Sequence, residues 1–170
     1  NPPYNGFAGL PVEEEAGLVE PYRTTKTAPK PQGQGLNDLY VRFFRVAERC
    51  ITERGVQHGI VCYISNYSWL DGLSHTGLRE RFLEEFDDIW IDSLNGDKYK
   101  TGKTTPDGEP DPSVFSTPQN REGIQVGTAV TLLTRKPKHA APATIHFRDF
   151  WGDKKREELL QSLSGTALAA

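Results

Sequence analysis

Methionine is absent from all 170 residues, and cysteine occurs only twice. With no start methionine in view, the chain is expected to be a piece of a longer protein that extends on both sides. Two cysteines without a C-x-x-C pattern give no disulfide framework and no thiolate metal cage. Cys50 and Cys62 are expected to be buried free thiols in a reducing compartment. The four histidines, His58, His75, His139 and His146, show no ligand spacing, so no metal site is expected. Gly72, Gly77 and Gly96 do not form a phosphate-loop pattern. No apolar run is long enough to span a bilayer and no signal peptide is visible, which leaves a cytoplasmic location as the expectation. Net charge is -3, so the chain is not a polycation, and any nucleic-acid contact must come from local patches. Charged content of 25% and a mean hydropathy of -0.58 are those of one ordinary globular domain.

What is present begins at the first residue. In Asn1-Pro2-Pro3-Tyr4 each of the first two residues precedes a proline and is pushed toward an extended backbone. The prolines fix φ and carry no N–H. The tetrapeptide is therefore stiff and offers acceptors only, with an aromatic ring next to them. That combination suits a flat substrate bearing an NH₂ group.

Periodicity outlines the rest as alternating helices and strands, an α/β pattern. Residues 5–35 read as a structureless loop. Residues 37–54 read as a helix with Asn37 as N-cap and an apolar face of Leu39, Phe43, Val46, Ala47, Cys50 and Ile51. Gly59 to Ser65 is a continuous apolar run, expected as a strand buried on both faces of a parallel sheet. A second helix over 76–86 turns Leu78, Phe82, Leu83 and Phe86 inward, and a strand follows from Asp88 to Leu94. Residues 96–123 form a long polar loop. Further strands are expected from Gln125 to Thr134 and from Thr144 to Phe147, then a helix from Lys154 to Leu163.

Taken in order, Asn-Pro-Pro-Tyr, the first helix, the apolar strand ending in Ser-Asn-Tyr-Ser-Trp-Leu, Gly77-Leu78-Arg79 and Ile89-Trp90-Ile91-Asp92-Ser93-Leu94-Asn95-Gly96 resemble the C-terminal half of the catalytic domain of adenine-N6 DNA methyltransferases. The likeness is greatest to methyltransferases fused into type ISP and type IIG restriction-modification enzymes. In these a Val-Phe pair precedes a Gly-Val-Ala-type strand; here Val114-Phe115 precedes Gly127-Thr128-Ala129-Val130 across a longer spacer.

The resemblance implies a partial Rossmann-like, S-adenosylmethionine-dependent methyltransferase fold whose last strand is antiparallel. Residues 1–148 would be the C-terminal half of the catalytic domain, with loops at 5–35 and 96–123. Residues 149–170 would be a helix and tail leading to a target-recognition region. It also implies methyl transfer from S-adenosylmethionine to an adenine flipped out of double-stranded DNA. The amide oxygen of Asn1 and the carbonyl of Pro2 would accept from the adenine amine and localise its lone pair. Tyr4 would stack on the base, with Phe115 as the second wall or else as a loop anchor. Tyr67 and Trp69 follow the apolar strand, either at the catalytic edge or as packing residues. Lys98, Lys100 and Lys103 could meet DNA phosphates or merely solvate their loop; Arg135, with Lys136, Lys138 and His139, is a second basic cluster with the same alternatives.

The family's glycine-rich donor loop and ribose carboxylate are not found in the sequence. The chain alone is therefore expected to be inactive, as part of a bacterial parent with or without a fused nuclease or helicase. Two alternatives use the same residues. One is methylation of a protein glutamine or an RNA base, whose NH₂ groups are also planar. The other is a non-catalytic DNA-binding or assembly fragment.

Overall fold

The computed structural model describes residue 15 and residues 17–164, so Asn1, Pro2 and Tyr4 lie outside the described residues. The elements in chain order are α1 (Leu39–Thr52), β1 (Gly59–Asn66), α2 (Thr76–Glu85), β2 (Asp88–Ser93), β3 (Thr128–Arg135), β4 (Thr144–Asp149) and α3 (Lys155–Ser164). The expected alternation of helices and strands is observed, and the architecture is mixed α/β.

The four strands form one open sheet in the order β1-β3-β2-β4. β3 runs antiparallel to both β1 and β2, while β4 adds to β2 in parallel. Register brings Val61, Leu133 and Ile89 into one row on the face that carries α1 and α2. The next row, Cys62, Leu132, Trp90 and His146, points to the opposite face. There the Trp90 and His146 rings stack at 3.7 Å.

β1 differs from expectation. It is an edge strand paired only with antiparallel β3, and Ile60 on it is 68% exposed. A continuous apolar run reads alike for a strand buried on both faces and for one whose outer residues lack a covering layer. Cys62 lies on that uncovered face and Cys50 on the outer side of α1; both thiols are exposed, not buried.

α1 is also rotated relative to its apolar count. The buried positions are Tyr40, Val41, Arg42, Phe44, Arg45, Glu48 and Ile51, while Phe43 and Val46 face outward. The cause is a buried polar cluster. Glu48, fully buried, accepts from the Tyr22 hydroxyl at 2.5 Å, from Arg45 at 3.0 Å and from the Arg81 Nε. Burial, and then Glu48, raises the Tyr22 pKa, which keeps the phenol a donor. Beside this cluster Phe44 meets Tyr63, Trp69 and Phe82 edge-to-face at 5.0–5.8 Å. Each such pair contributes about 0.5–1.5 kcal/mol beyond area burial. The N-cap is Asp38 rather than Asn37, which lies in a preceding turn of 3₁₀ helix.

Residues 5–35 are not structureless where they are described. A 3₁₀ turn, Glu20–Tyr22, drives the Tyr22 ring into the core against Phe82. Its carbonyl sits where a Cβ on Gly77 would come within 2.2 Å, so only glycine lets this segment cross α2. Farther on, the Glu80 carboxylate accepts from the N–H groups of Lys26, Thr27 and Ala28 and from the Thr27 hydroxyl, all at 2.7–2.9 Å. Among the described residues no helix is long and apolar enough to cross a membrane.

Two outcomes follow. Glu48→Ala leaves two guanidinium groups and a phenol facing an emptied site. It is expected to cost about 3–5 kcal/mol, read as a lower urea midpoint at unchanged slope. The Thr27 hydroxyl, then the N–H groups of Ala28, Thr27 and Lys26, hold Glu80 at about 2, below the ~4.3 of a free glutamate. Its stabilising contribution is therefore fully present above the unfolded value and is lost as pH falls through about 2. Glu80→Gln should flatten the acid limb of the stability–pH curve; an unchanged limb would show that the clasp contributes nothing.

Candidate functional site

The C-terminal ends of β1 and β2 and the start of β3 meet at one end of the sheet, where Asn66 and Ser93 stand opposite Thr128 and Ala129. Two buried aspartates organise this end. Asp97 accepts from the N–H groups of Tyr99 and Lys100 at 2.7 Å and of Gly127 at 2.8 Å. It thereby ties the strand end of β2 to the entry of β3. Asp111, fully buried, accepts from the N–H groups of Gly96 at 2.7 Å and Gly152 at 2.8 Å. It also takes the Lys155 ammonium at 2.5 Å. Lys155 in turn donates to the Leu94 carbonyl at 2.8 Å. Burial lowers the Lys155 pKa, against the opposing pull of Asp111.

Asn95 takes a positive φ of 46° and donates to the Asp149 carboxylate and the Phe150 carbonyl. The chain thus turns sharply after β2, and the long polar loop leaves over the strand ends. Gly127 is required here: a Cβ would fall 2.3 Å from the Tyr67 ring, which lies across the start of β3. Burial, then the nearby Asp97 charge, raises the Tyr67 pKa and keeps this phenol protonated.

The loop of residues 96–123 is pinned at several points. Lys98 pairs with Glu122 at 2.5 Å, and the Lys103 ammonium donates to the Glu122 carbonyl. Lys100 pairs with Asp71 at 2.8 Å and lies 4.6 Å from the Tyr67 ring centroid. The three lysines singled out as phosphate contacts are therefore brought together at one end, but each is already engaged within the chain. Arg135 is at the far end of the sheet, bonded to Glu85 and to the Gln57 carbonyl, and does not join them. His139, beside it, bonds the Asp87 carboxylate and the Glu84 carbonyl.

Phe115 sits half-buried in a turn in which the Ser116 N–H donates to the Ser113 carbonyl at 2.9 Å. The Ser113 hydroxyl accepts from the N–H groups of Phe115 and Ile124 at 3.3 Å. Of the residues at the strand edge, Tyr67 and Trp69 are both buried in the core, and the Tyr67 ring also meets Lys100 and Gly127 at the site. Asp97, Asp111 and Lys155 were not legible as site residues. One signal was present: an aspartate between two prolines, Pro110-Asp111-Pro112, in an otherwise solvated loop.

Two clefts flank these elements. An apolar groove of about 480 Å³ lies between α2 and the β2–β4 edge, walled by Leu70, Leu83, Ile89, Ile145 and Phe147, with Glu80 at its rim. A smaller cleft of about 110 Å³ separates the Ser113–Ser116 turn from the first turn of α3. Among the described residues no group of three or more His, Cys, Asp and Glu side chains is gathered to hold a metal ion.

No protein-family model matches the chain, and no curated protein matches it. Solved structures do. One is the ATP-dependent Type ISP restriction-modification enzyme LlaBIII bound to DNA, at 26% identity and a TM-score of 0.68, over 94% of this chain and 10% of that one. Another is the DrdV–DNA complex, at 25% identity and a TM-score of 0.68, over 100% of this chain and 16% of that one. A nuclease-deletion mutant of the Type ISP enzyme LlaGI, in complex with a DNA substrate mimic, shares the fold at 18% identity with a TM-score of 0.74 over the same shares. The chain thus spans only 10% to 16% of the length of these large proteins.

The buried ion pair makes a direct test of how the site is held. Lys155→Met strands Asp111 and frees the start of α3, at an expected cost of about 3–5 kcal/mol. Lys100→Met breaks an exposed pair worth at most about 1 kcal/mol. Denaturant midpoints of the two variants should differ accordingly, and only Lys155→Met should expose the 96–123 loop to limited proteolysis.

Proposed function

We propose that this chain is the C-terminal half of the catalytic domain of an adenine-N6 DNA methyltransferase within a restriction-modification enzyme. The observation that carries the reading is the near-complete overlap of the chain with two DNA complexes at 25–26% identity, one of them of a Type ISP restriction-modification enzyme. It is supported by β3, which runs antiparallel between β1 and β2, in keeping with the antiparallel last strand that the resemblance implies.

The chemistry assigned to the chain is that of the base. Asn1 and the Pro2 carbonyl accept from the two N–H bonds of the adenine amine, which favours a pyramidal nitrogen with a localised lone pair. Tyr4 stacks on the base, and Phe115, presented by the Ser113-anchored turn, faces it from the other side. Positioning of this kind can be worth effective molarities of about 10⁵–10⁸ M. Stacking also offsets the few kcal/mol spent in flipping a base from the duplex.

Neither of the two clefts fits S-adenosylmethionine. The larger groove is apolar, and its carboxylate, Glu80, already accepts from Lys26, Thr27 and Ala28, which leaves little for ribose hydroxyls. The smaller cleft, at about 110 Å³, is too small for an adenosine. Donor binding is therefore assigned to polypeptide outside the described residues, and the chain by itself is proposed to be inactive.

The test uses the full-length gene product on duplex DNA. Wild-type protein should methylate adenine, and Asn1→Ala should abolish turnover while DNA binding persists. Tyr4→Ala should weaken both turnover and base flipping, followed by 2-aminopurine fluorescence at the target position. Methylation of a protein glutamine or of RNA, with duplex DNA untouched, would replace this reading by the alternative one. DNA binding without any methylation would leave a non-catalytic fragment.

A further inference from the structure

The residues that would meet the DNA backbone are not the ones the loop composition suggested. A cation already paired with a carboxylate must give up that pair before it can neutralise a phosphate. Lys98 is committed to Glu122 and Lys100 to Asp71, and Lys103 is bonded to the carbonyl of Glu122. The Glu122 carboxylate beside it raises the Lys98 pKa, and Lys98 in turn lowers that of Glu122. These lysines act as clasps of the 96–123 loop.

Three other cations near the same loop make no ion pair among the described residues: Arg121, Lys154 and Arg156, all exposed. Arg156 borders one feature, and the other two lie close to its walls in sequence. Arg156 lines the cleft of about 110 Å³ whose other wall is the turn carrying Val114, Phe115 and Ser116. Lys154 precedes the same helical turn. Arg121 is two residues before Gly123, which packs so closely on the turn that a Cβ there would come within 3.0 Å of the Phe115 carbonyl carbon. The Ser116 hydroxyl, in the cleft wall, has no hydrogen-bond partner among the described residues. Asp153 is the acidic residue of the lining. Glu157 and Glu158 follow Arg156, but the helical advance of about 100° per residue carries them round from the cleft.

The cleft is also rigid. Its two walls are joined underneath by the Asp111–Lys155 pair, one residue from Pro112 on one side and one from Arg156 on the other. Arg156 is thereby held at a fixed distance from the Phe115 turn. Arg54 and Lys138, which also make no ion pair among the described residues, lie near the opposite end of the sheet, where Gly59 pairs with Arg135. The volume equals three to four waters at about 30 Å³ each, which suits one phosphate group and not a whole nucleotide.

We propose that this cleft seats a backbone phosphate of duplex DNA, with Arg156 as its charged ligand and Arg121 and Lys154 flanking it. The inference rests on the reading of the chain as part of a DNA-modifying enzyme, and it adds a strand-positioning role to the α3 start. A guanidinium presents a planar fork that suits phosphate oxygens. A contact of this kind fixes the register of the strand beside Phe115 without reading sequence.

The experiment is a salt titration of duplex binding by the full-length gene product, followed by fluorescence anisotropy of a short labelled oligonucleotide. Each lost phosphate contact lowers the slope of log K against log salt by about 0.9. Arg156→Gln should lose about that much, Arg156→Lys should largely restore it, and Lys100→Gln should leave it unchanged. Arg156 is exposed, so its variants should keep the wild-type thermal midpoint. A wild-type slope in Arg156→Gln, with wild-type binding intact, overturns the cleft and leaves the methyltransferase reading standing. Absence of duplex binding by the wild-type protein overturns both. A reduced slope in a protein that methylates no adenine supports the cleft and removes the catalytic reading.

Discussion

Everything in this fold hangs on β3. It is the one strand hydrogen-bonded on both sides by antiparallel partners, β1 at one edge and β2 toward the other. β1 and β2 run the same way but do not pair with each other, so β1 joins the rest of the sheet through β3. Its inward residues Ala129 and Leu133 are almost fully buried, and Leu133 completes the row of Val61 and Ile89. Its entry is as constrained as its body. Gly127 is squeezed by the Tyr67 ring and its N–H is held by Asp97, so the long loop can return to the sheet at one point only.

That loop shows that length and polarity do not by themselves leave a segment unanchored. Residues 96–123 hold no helix or long strand, yet buried carboxylates grip both ends. Asp97 and Asp111 together accept five backbone N–H bonds and a lysine. The same economy of carboxylates organises α1, where Glu48 takes the place of an apolar core residue. In both cases a negative charge is tolerated inside because donors from distant segments converge on it, and the segments are thereby fixed to one another.

The order and type of the elements were legible because the runs and periods that define them are local. α2, with Leu78, Phe82 and Phe86 inward, and β2 to within one residue, were read directly from spacing. What escaped was set by partners far along the chain. The buried face of α1 depends on Tyr22 and Arg81, which no count of apolar residues along the helix can include. The anchoring of residues 20–28 depends on Gly77 and Glu80. Asp111 lies 44 residues from Lys155, and the distance hides the pair. The exposure of β1 turns on the absence of a neighbour beyond it in the described sheet. The motif most informative about chemistry, Asn1 to Tyr4, lies outside the described residues, so its assignment rests on sequence alone.

The central position of β3 also has a consequence in time. A ribosome delivers β1 and β2 first and must then thread the whole polar loop before β3 exists. Until then two apolar strands are present with no ladder to join, and the contacts that define the sheet all close over long sequence separations. Such topologies fold slowly and expose strand edges while they wait. Folding of this segment is therefore timed by the emergence of residues 128–135, and the nascent chain is at its most vulnerable to wrong pairing just before they appear.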